Sequence, residues 1–446
     1  MEKEVHGIRL QRGIIAALLA ILVYALPFPL GRQQHVMVVI TVFVAALWIA
    51  EVLPVHVTAL GIAFLLVVVM KLPPKEVFTQ YFDPTIVLLL GGFVLAVAMT
   101  KHNLDHYLAQ KVVEHAGRKP EMMILALLIT TTFISMWISN SAAAAIVMPI
   151  AVVLLVKNHL VPGHSNIGKA SVLAVGYGAT IGGMGTIIGS TPNVLAAKFL
   201  TDAGYTFGFF EWFIRGFPFM LLLMFAGWYI LIRLYKPEKS QVLIVKEHQF
   251  MTAQHREIIF IFLVTVLLWV TEPIHGVQSS MVAIIAIILL YAFGLLGTDD
   301  FSKVDWPTLI LIGGGMALGY GIHQTKLDAV IAAGIASAMH AQSALLLFLI
   351  LGVFGVLFTV FISNTTAAAI YLPIVASLAS TVNIKPISAV MAAGVGVSLD
   401  FVFPFGTPPT AIAYGTKYVS MKDIIKAGIL ISITGVIILG LLSLVW

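Results

Sequence analysis

SMWISNS, residues Ser135 to Ser141, interrupts an apolar run from Met122 to Val156, and TVFISNT, residues Thr359 to Thr365, interrupts a second run from Ser343 to Leu378. A membrane-crossing helix needs about 20 apolar residues at a rise of ~1.5 Å each. Each run is about 35 residues long, too long for one crossing and too short for two with a turn. A polar triplet at the middle of each marks where the helix breaks. Non-helical backbone at membrane depth is tolerated only where protein or a water-filled cavity surrounds it. Both runs therefore read as re-entrant helical hairpins that enter and leave on the same side.

Composition sets the same solvent for the rest of the chain. Of 446 residues, 60% are apolar and 10% charged, against about 25% charged in soluble domains. By the 20-residue ruler, spans fall near 13–30, 36–53, 55–71, 84–100, 170–200, 213–235, 257–273, 279–296, 306–322, 386–413 and 427–445. The expected fold is an all-α polytopic membrane protein of about 11 transmembrane helices plus the two hairpins. No A-x-A cleavage pattern follows the first apolar run, which reads as a permanent span rather than a signal peptide. The chain has no cysteine, so disulfides, thiolate chemistry and Cys-based metal sites are excluded. The net charge of +5 forms no basic stripe with interleaved aromatics, and nucleic acid is not implied.

Loop charge orients the chain. With the N-terminus inside, cytoplasmic segments hold eighteen of the 25 Lys and Arg: three before the first span, four in 101–119, Lys157 and Lys169, five in 233–256, Lys303, and three in 417–426. Arg32, Lys71, Lys75, Lys198, Arg215, Lys326 and Lys385 fall on the other side. This is a positive-inside bias for a multi-pass protein of the inner (cell) membrane, with the C-terminus outside. Counting either hairpin as a single crossing would destroy the bias. Residues 102–119 and 325–341 read as interfacial segments on opposite sides.

The chain also repeats itself. LWIAE at 47–51 returns as LWVTE at 268–272, and PTIVLLLGG from Pro84 as PTLILIGGG from Pro307. Leu104-Asp105 returns as Leu327-Asp328, the first triplet as the second, and GSTPN at 189–193 as GTPPT at 406–410. Five echoes in one order mark two copies. An odd number of crossings between Trp48 and Trp269 inverts the second copy, the plan of alternating-access transporters with a midplane site. The expected organisation is a leading segment and span (1–35), a first repeat (36–235) with inner hairpin 122–156 and broken span 170–200, a cytoplasmic connector (236–256), and a second repeat (257–446) with outer hairpin 343–378 and broken span 386–413.

Helix ends inside a membrane leave carbonyls free at one end and N–H groups at the other. A cation uses the carbonyls; an anion uses the N–H groups and the positive end of the dipole. Ser139-Asn140-Ser141 and Ser363-Asn364-Thr365 supply two such points. Ser190 or Thr191 before Pro192, and Thr407 before Pro408, supply two more as N-caps followed by proline. Gly189 and Gly406 let the backbone unwind there. Four helix N-termini aimed at one place hold a doubly charged anion without Arg or Lys, and Lys198 is the nearest such residue in sequence. A lone polar triplet is as readily a packing contact; the symmetric pair with downstream breaks favours a site. The glycine-rich runs 176–189 and 313–321 read as close helix packing rather than nucleotide loops. The 13 His show no ligand spacing, and neither triplet contains a base, so an enzyme is not expected. Asp400, inside a span, reads equally as a cation- or proton-coupling group or as a hydrogen-bonded structural residue. Glu51 and Glu272, near span ends, read as interfacial anchors.

These residues resemble the divalent-anion:sodium symporter family, of the sodium–dicarboxylate cotransporter type, along nearly the whole chain. The specific likeness is the doubled Ser-Asn-Ser/Thr motif on hairpins, each followed by a Gly-Ser/Thr-Pro break. The resemblance implies a homodimer with a scaffold and a moving transport domain working as an elevator, with one sodium ion (Na+) bound per repeat. It implies sodium contacts from Ser135, Ser139, Asn140 and Gly189, and from Thr359, Ser363, Asn364 and Gly406. It implies substrate contacts from Asn140, Ser141, Ser190, Ser363, Asn364, Thr365, Thr407 and Pro408. Departures are Ser141 ending the first triplet, Thr191 for a proline, Thr410 for an asparagine, and a charge at Asp400. The leading expectation is sodium-coupled uptake of a C4-dicarboxylate such as succinate, malate or fumarate. The alternatives are an anion exchanger, a citrate or sulfate symporter, and a cation/proton antiporter using Asp400.

Overall fold

The computed structural model describes residues 2–244, 250–338, 343–360, 362–382, 384–404 and 406–446. Parts of the expected connector (245–249) and of the second interfacial segment (339–341) lie outside the described residues. The described residues form helices and turns and no strand. In the first half these are α1 (Glu2–Ala25), α2 (Arg32–Ile49), α3 (Val55–Phe64), a short α4 (Pro74–Thr79), α5 (Pro84–Lys101), α6 (Leu104–Glu114), α7 (Pro120–Ser135), α8 (Asn140–Lys157), α9 (Asn166–Gly183), α10 (Thr191–Asp202) and α11 (Phe209–Leu234). In the second they are α12 (Ala253–Val270), a single-turn α13 (Glu272–His275), α14 (Ser279–Ala292), α15 (Trp306–Gln324), α16 (Leu327–Ala338), α17 (Ala344–Thr359), α18 (Asn364–Thr381), α19 (Pro386–Gly396), α20 (Pro408–Gly415) and α21 (Met421–Ser443).

Helices occupy every stretch expected as a span, and the two broken spans are each a pair, α9–α10 and α19–α20. Six helical stretches are long and apolar enough to cross a bilayer by themselves, and shorter apolar helices of 10–17 residues accompany them. Phe64, Leu263, Leu267, Ile288, Ile437 and Leu441 are more than half exposed. Large apolar side chains this exposed on so many helices suit a lipid surround. One detail escaped the sequence: α3 ends in a π turn, Leu65–Val69.

The two halves match in local chemistry as well as order. Trp48 Nε1 donates to the Val55 carbonyl at 3.1 Å, and Trp269 Nε1 to that of Ser279 at 2.9 Å. Asn103 and Lys326, which precede α6 and α16, both adopt left-handed backbone, with φ of 56° and 58°. Asp105 accepts from the Thr100 hydroxyl at 2.8 Å, and Asp328 lies 2.9 Å from His323 Nδ1.

Packing divides the helices into two groups. In one, α5 lies on α14, α15 on α3, and α12 on α14. The other holds the hairpins α7–α8 and α17–α18 and the broken pairs. There α9 packs on α7 and α8, and α19 on α17 and α18. These pairs cross the half boundary too, since α10 packs on α18 and α20 on α8. Both α9 and α19 are buried along nearly their whole length, so small residues must face the neighbouring backbone. A Cβ on Gly182 would lie 2.1 Å from the Thr132 carbonyl oxygen, and one on Gly355 would lie 2.9 Å from the backbone of Gly396. Larger residues would push each hairpin off its broken helix.

At one end of the first group, Asp300 joins Lys101 at 2.7 Å and Lys303 at 2.8 Å. The Gly297 N–H, Lys101 and Lys303 hold its carboxyl well below the usual carboxylate range.

Candidate functional site

Each hairpin turns in four residues, and the polar triplet opens the returning helix rather than ending the first. Ser139 is the N-cap of α8 (φ −60°, ψ 144°), and its Oγ accepts from the Ala142 N–H at 3.3 Å. Ser363 repeats this for α18 (φ −61°, ψ 146°), accepting from the Thr366 N–H at 3.3 Å. The first orphan donors of each helix are thereby met. Both hydroxyls are engaged in these caps, and the Ser363 hydroxyl also donates to that of Thr366 at 2.9 Å.

Behind each cap, an asparagine meets the last residue of the preceding helix. Ser135 Oγ donates to Asn140 Oδ1 at 2.8 Å and approaches the Ala179 carbonyl at 2.6 Å. Thr359 Oγ1 donates to Asn364 Oδ1 at 2.5 Å. At the first tip the Gly189 and Ala179 carbonyls also lie 3.2 Å from the inward amide atom of Asn140. Amide O and N are assigned from such surroundings. With the oxygen inward, a hydroxyl, an amide and two carbonyls form an oxygen cluster; with the nitrogen inward, the amide donates to all three neighbours. A cluster of neutral oxygens is the donor chemistry a hard cation takes, so Ser135, Asn140 and Gly189 fit a sodium ion. The Ser139 hydroxyl stands on the exposed side of the tip, engaged in its cap.

The broken pairs differ from the expectation in one respect. Ser190 alone caps α10 and Thr191 is its first helical residue; Thr407 caps α20, which opens on Pro408 and Pro409. Neither cap side chain accepts from a backbone N–H of its own helix; the Thr407 hydroxyl pairs instead with that of Thr410 at 2.9 Å. Pro192 and Pro409 sit where a missing N–H costs nothing. The N–H groups of Asn193 and Thr410 turn back to the Ser190 and Thr407 carbonyls at 3.2 and 3.1 Å, so what these starts chiefly offer an anion is the positive end of the helix. The Thr191 and Thr365 hydroxyls are in hydrogen-bond contact, which brings the start of α10 in one half against the start of α18 in the other. On the opposite pairing, α20 packs on α8.

Asn193 and Gly183 acquire roles that sequence reasoning did not assign. Asn193 Nδ2 donates to the carbonyls of Gly183 and Thr186, both at 2.7 Å, tying off the open end of α9. Thr186 in turn donates to the Met136 carbonyl at 2.5 Å, fastening the break to the hairpin turn. A Cβ on Gly183 would lie 2.4 Å from Asn140 Oδ1. Asn193 was visible as part of the GSTPN echo, but its partners are carbonyls, which leave no trace in side-chain patterns. Lys198, the nearest cation in sequence, lies 3.1 Å from Asp83 and 2.5 Å from Asp202, so its charge is already matched. Glu272 accepts from the Ser279 hydroxyl. Asp400 is fully buried, and neither carboxylate oxygen has a hydrogen-bond partner among the described residues.

A cavity of about 310 Å³ runs from the first tip, at Ser139 and Ala142, along α5 to Lys101, Lys303 and Asp305. It lies between the two packing groups and leads from the hairpin turn to the charged cluster around Asp300.

Comparison with known proteins decides the family. The model described as the sodium:sulfate symporter transmembrane region matches residues 9–446. The chain belongs to this divalent-anion:sodium symporter family. A Staphylococcus saprophyticus protein named sodium-dependent dicarboxylate transporter SdcS is 31% identical, over 96% of this chain and 89% of that relative. An uncharacterized transporter of Methanocaldococcus jannaschii is 33% identical, over 92% of this chain and 93% of its own. Among solved structures, the YdaH transporter of Alcanivorax borkumensis superposes with a TM-score of 0.59 over 82% of this chain and 86% of that one, at 13% identity. That likeness concerns the fold alone.

Proposed function

We propose that this chain is a secondary active transporter of the cytoplasmic membrane that carries a C4-dicarboxylate such as succinate, malate or fumarate together with sodium. The observation that carries the reading is the doubled tip. A capped helix start, with an asparagine held by the hydroxyl of the preceding helix, occurs once in each half, and the Thr191–Thr365 contact joins the halves there. The naming of the Staphylococcus saprophyticus relative as a sodium-dependent dicarboxylate transporter supports the same substrate class.

In this reading Ser135, Ser139, Asn140 and Gly189 hold one sodium ion, and Thr359, Ser363, Asn364 and Gly406 hold the other. Bound sodium supplies the positive charge that the motifs lack. The substrate carboxylates meet Asn140, Ser141, Ser190, Ser363, Asn364, Thr365, Thr407 and Pro408, and the four helix starts orient them. Each asparagine then serves both ligands, its amide oxygen toward the cation and its N–H toward the anion. Coupling follows by linkage: each ligand favours the arrangement that the other needs, so each raises the other's affinity by the same factor.

The hairpins and broken pairs form the moving body, and the helices around α5 and α15 form the scaffold of a homodimer in lipid. The two halves, 36–235 and 257–446, are inverted repeats, flanked by 1–35 and the connector 236–256. The N-terminus lies in the cytoplasm and the C-terminus outside. Alternating access is an elevator-type displacement of the body, with the cavity beside Ser139 as the inner route. Uptake of labelled succinate into proteoliposomes, challenged with unlabelled malate, fumarate, citrate and sulfate, tests the assignment. Competition by the C4-dicarboxylates alone is expected. Uptake that requires an internal dicarboxylate and ignores sodium would make the protein an exchanger, and competition by sulfate or citrate alone would change the cargo.

A further inference from the structure

We propose that Asp400 is an anionic ligand of the second cation site, which makes the two sites unequal: the second binds its cation first and more tightly. This rests on the sodium-coupled reading above and adds to it a residue that the first half lacks. The spacing that carries Gly189 onto Gly406, 217 residues, carries Gly183 onto Asp400. In the first half that position looks straight at the asparagine, since a Cβ on Gly183 would lie 2.4 Å from Asn140 Oδ1. In the second half it bears a carboxylate. That carboxylate lies against Gly406, where a Cβ would sit 2.1 Å from Oδ2 and 2.6 Å from Oδ1 of Asp400.

Asp400 is 0% exposed, and both its oxygens are without a hydrogen-bond partner among the described residues. A buried carboxylate with no partner is among the most costly arrangements a protein can hold, and a cation bound beside it removes the cost. A second difference frees the space around it. In the first half Asn193 reaches back to tie the end of α9, whereas its counterpart Thr410 turns aside to the Thr407 hydroxyl at 2.9 Å. The first site thus joins neutral groups next to a glycine, and the second a hydroxyl and an amide next to a charge. Oxygen donors with a formal charge suit a hard monovalent cation of the sodium class.

The test is thermal unfolding of the purified full-length protein in detergent, without substrate, across a sodium chloride series balanced with choline chloride. A ligand that binds only the folded state raises the midpoint as its concentration passes its dissociation constant. In wild type the midpoint is expected to rise with sodium. In Asp400→Asn the sodium needed for half the rise should increase at least about tenfold, the order set by losing one close charge. Asp400→Gly, the residue that the first half already carries at this position, should do the same. In choline alone both variants should unfold at or above the wild-type midpoint, because an unpaired buried charge has gone. Sodium curves that superpose on wild type, or choline midpoints well below it in both variants, would overturn the assignment of Asp400 while leaving the coupled reading intact. A wild-type midpoint indifferent to sodium would remove the coupled reading and this inference with it.

Discussion

The two hairpin tips share a backbone and differ in charge. Ser139 and Ser363 cap their helices at nearly the same φ and ψ, and Ser135 and Thr359 hold Asn140 and Asn364 in the same way. Behind them the halves differ: Gly183 lies beside Asn140 and is tied by Asn193, whereas the corresponding positions hold Asp400, against Gly406, and Thr410, bonded to Thr407. The two halves share what the helix ends demand, namely a cap and a partner for the amide. Their surroundings differ where the helix ends impose no such demand. The shared part therefore reports the architecture, and the differing part is where the proposed cation sites would differ.

The largest expected effect tests the shared part. Asn140→Ala and Asn364→Ala each remove an amide that the proposed function assigns to both ligands, and each should lower sodium-driven uptake about 100-fold, the equivalent of about 3 kcal/mol. Initial rates in proteoliposomes measure this, and a tolerant Asn364 would break the equivalence of the tips. Next is the close approach at each glycine. Gly183→Ala and Gly406→Ala should each destabilise the fold by about 1–3 kcal/mol by overpacking, read as a fall in unfolding midpoint. Pairing Gly406→Ala with Asp400→Gly should recover most of the loss, because the clash is with that carboxylate. No recovery would mean that Gly406 is needed for its backbone alone.

Asn193→Ala leaves two carbonyls unpaired and should cost about 1–3 kcal/mol, whereas Thr410→Ala loses one hydroxyl contact and should cost about 1 kcal/mol. Equal losses would erase the asymmetry between the breaks. Thr365→Val removes the hydroxyl that touches Thr191 and should raise the substrate KM about 3- to 10-fold at saturating sodium, with a smaller change in maximal rate.

The smallest effect lies outside the tips. Asp300 has a folded pKa below its unfolded value of 3.8, so its contribution to stability is present above that value and is lost as pH falls through the folded one. Asp300→Asn should therefore lower the midpoint slightly at neutral pH, by an amount that begins to shrink as pH falls below 3.8 and vanishes only once pH has passed below the folded pKa. A constant difference across the series would point to packing rather than charge.

Much of this was legible from residues alone. Apolar run lengths placed the helices, and the two 35-residue runs with polar centres placed the hairpins, because bilayer thickness fixes helix length. The echo of GSTPN in GTPPT placed the broken pairs. What stayed hidden depends on neighbours distant in sequence or on backbone atoms. The Thr191–Thr365 contact spans 174 positions, and Asn193 bonds only to carbonyls. Ser190, rather than Thr191, proved to be the cap because the proline occupies the second helical position, which a dipeptide pattern does not resolve. Asp400 was noticed as a charge in a span, but its match to Gly183 acquires meaning only once Gly183 is seen beside Asn140.

The most direct test of the account is accumulation of labelled succinate in proteoliposomes of wild type and Asn140→Ala, with an inward sodium gradient and with that gradient replaced by potassium. The account predicts accumulation above equilibrium in wild type under the sodium gradient only, and almost none in the variant. Equal accumulation with potassium, or a variant that transports as wild type does, would contradict it.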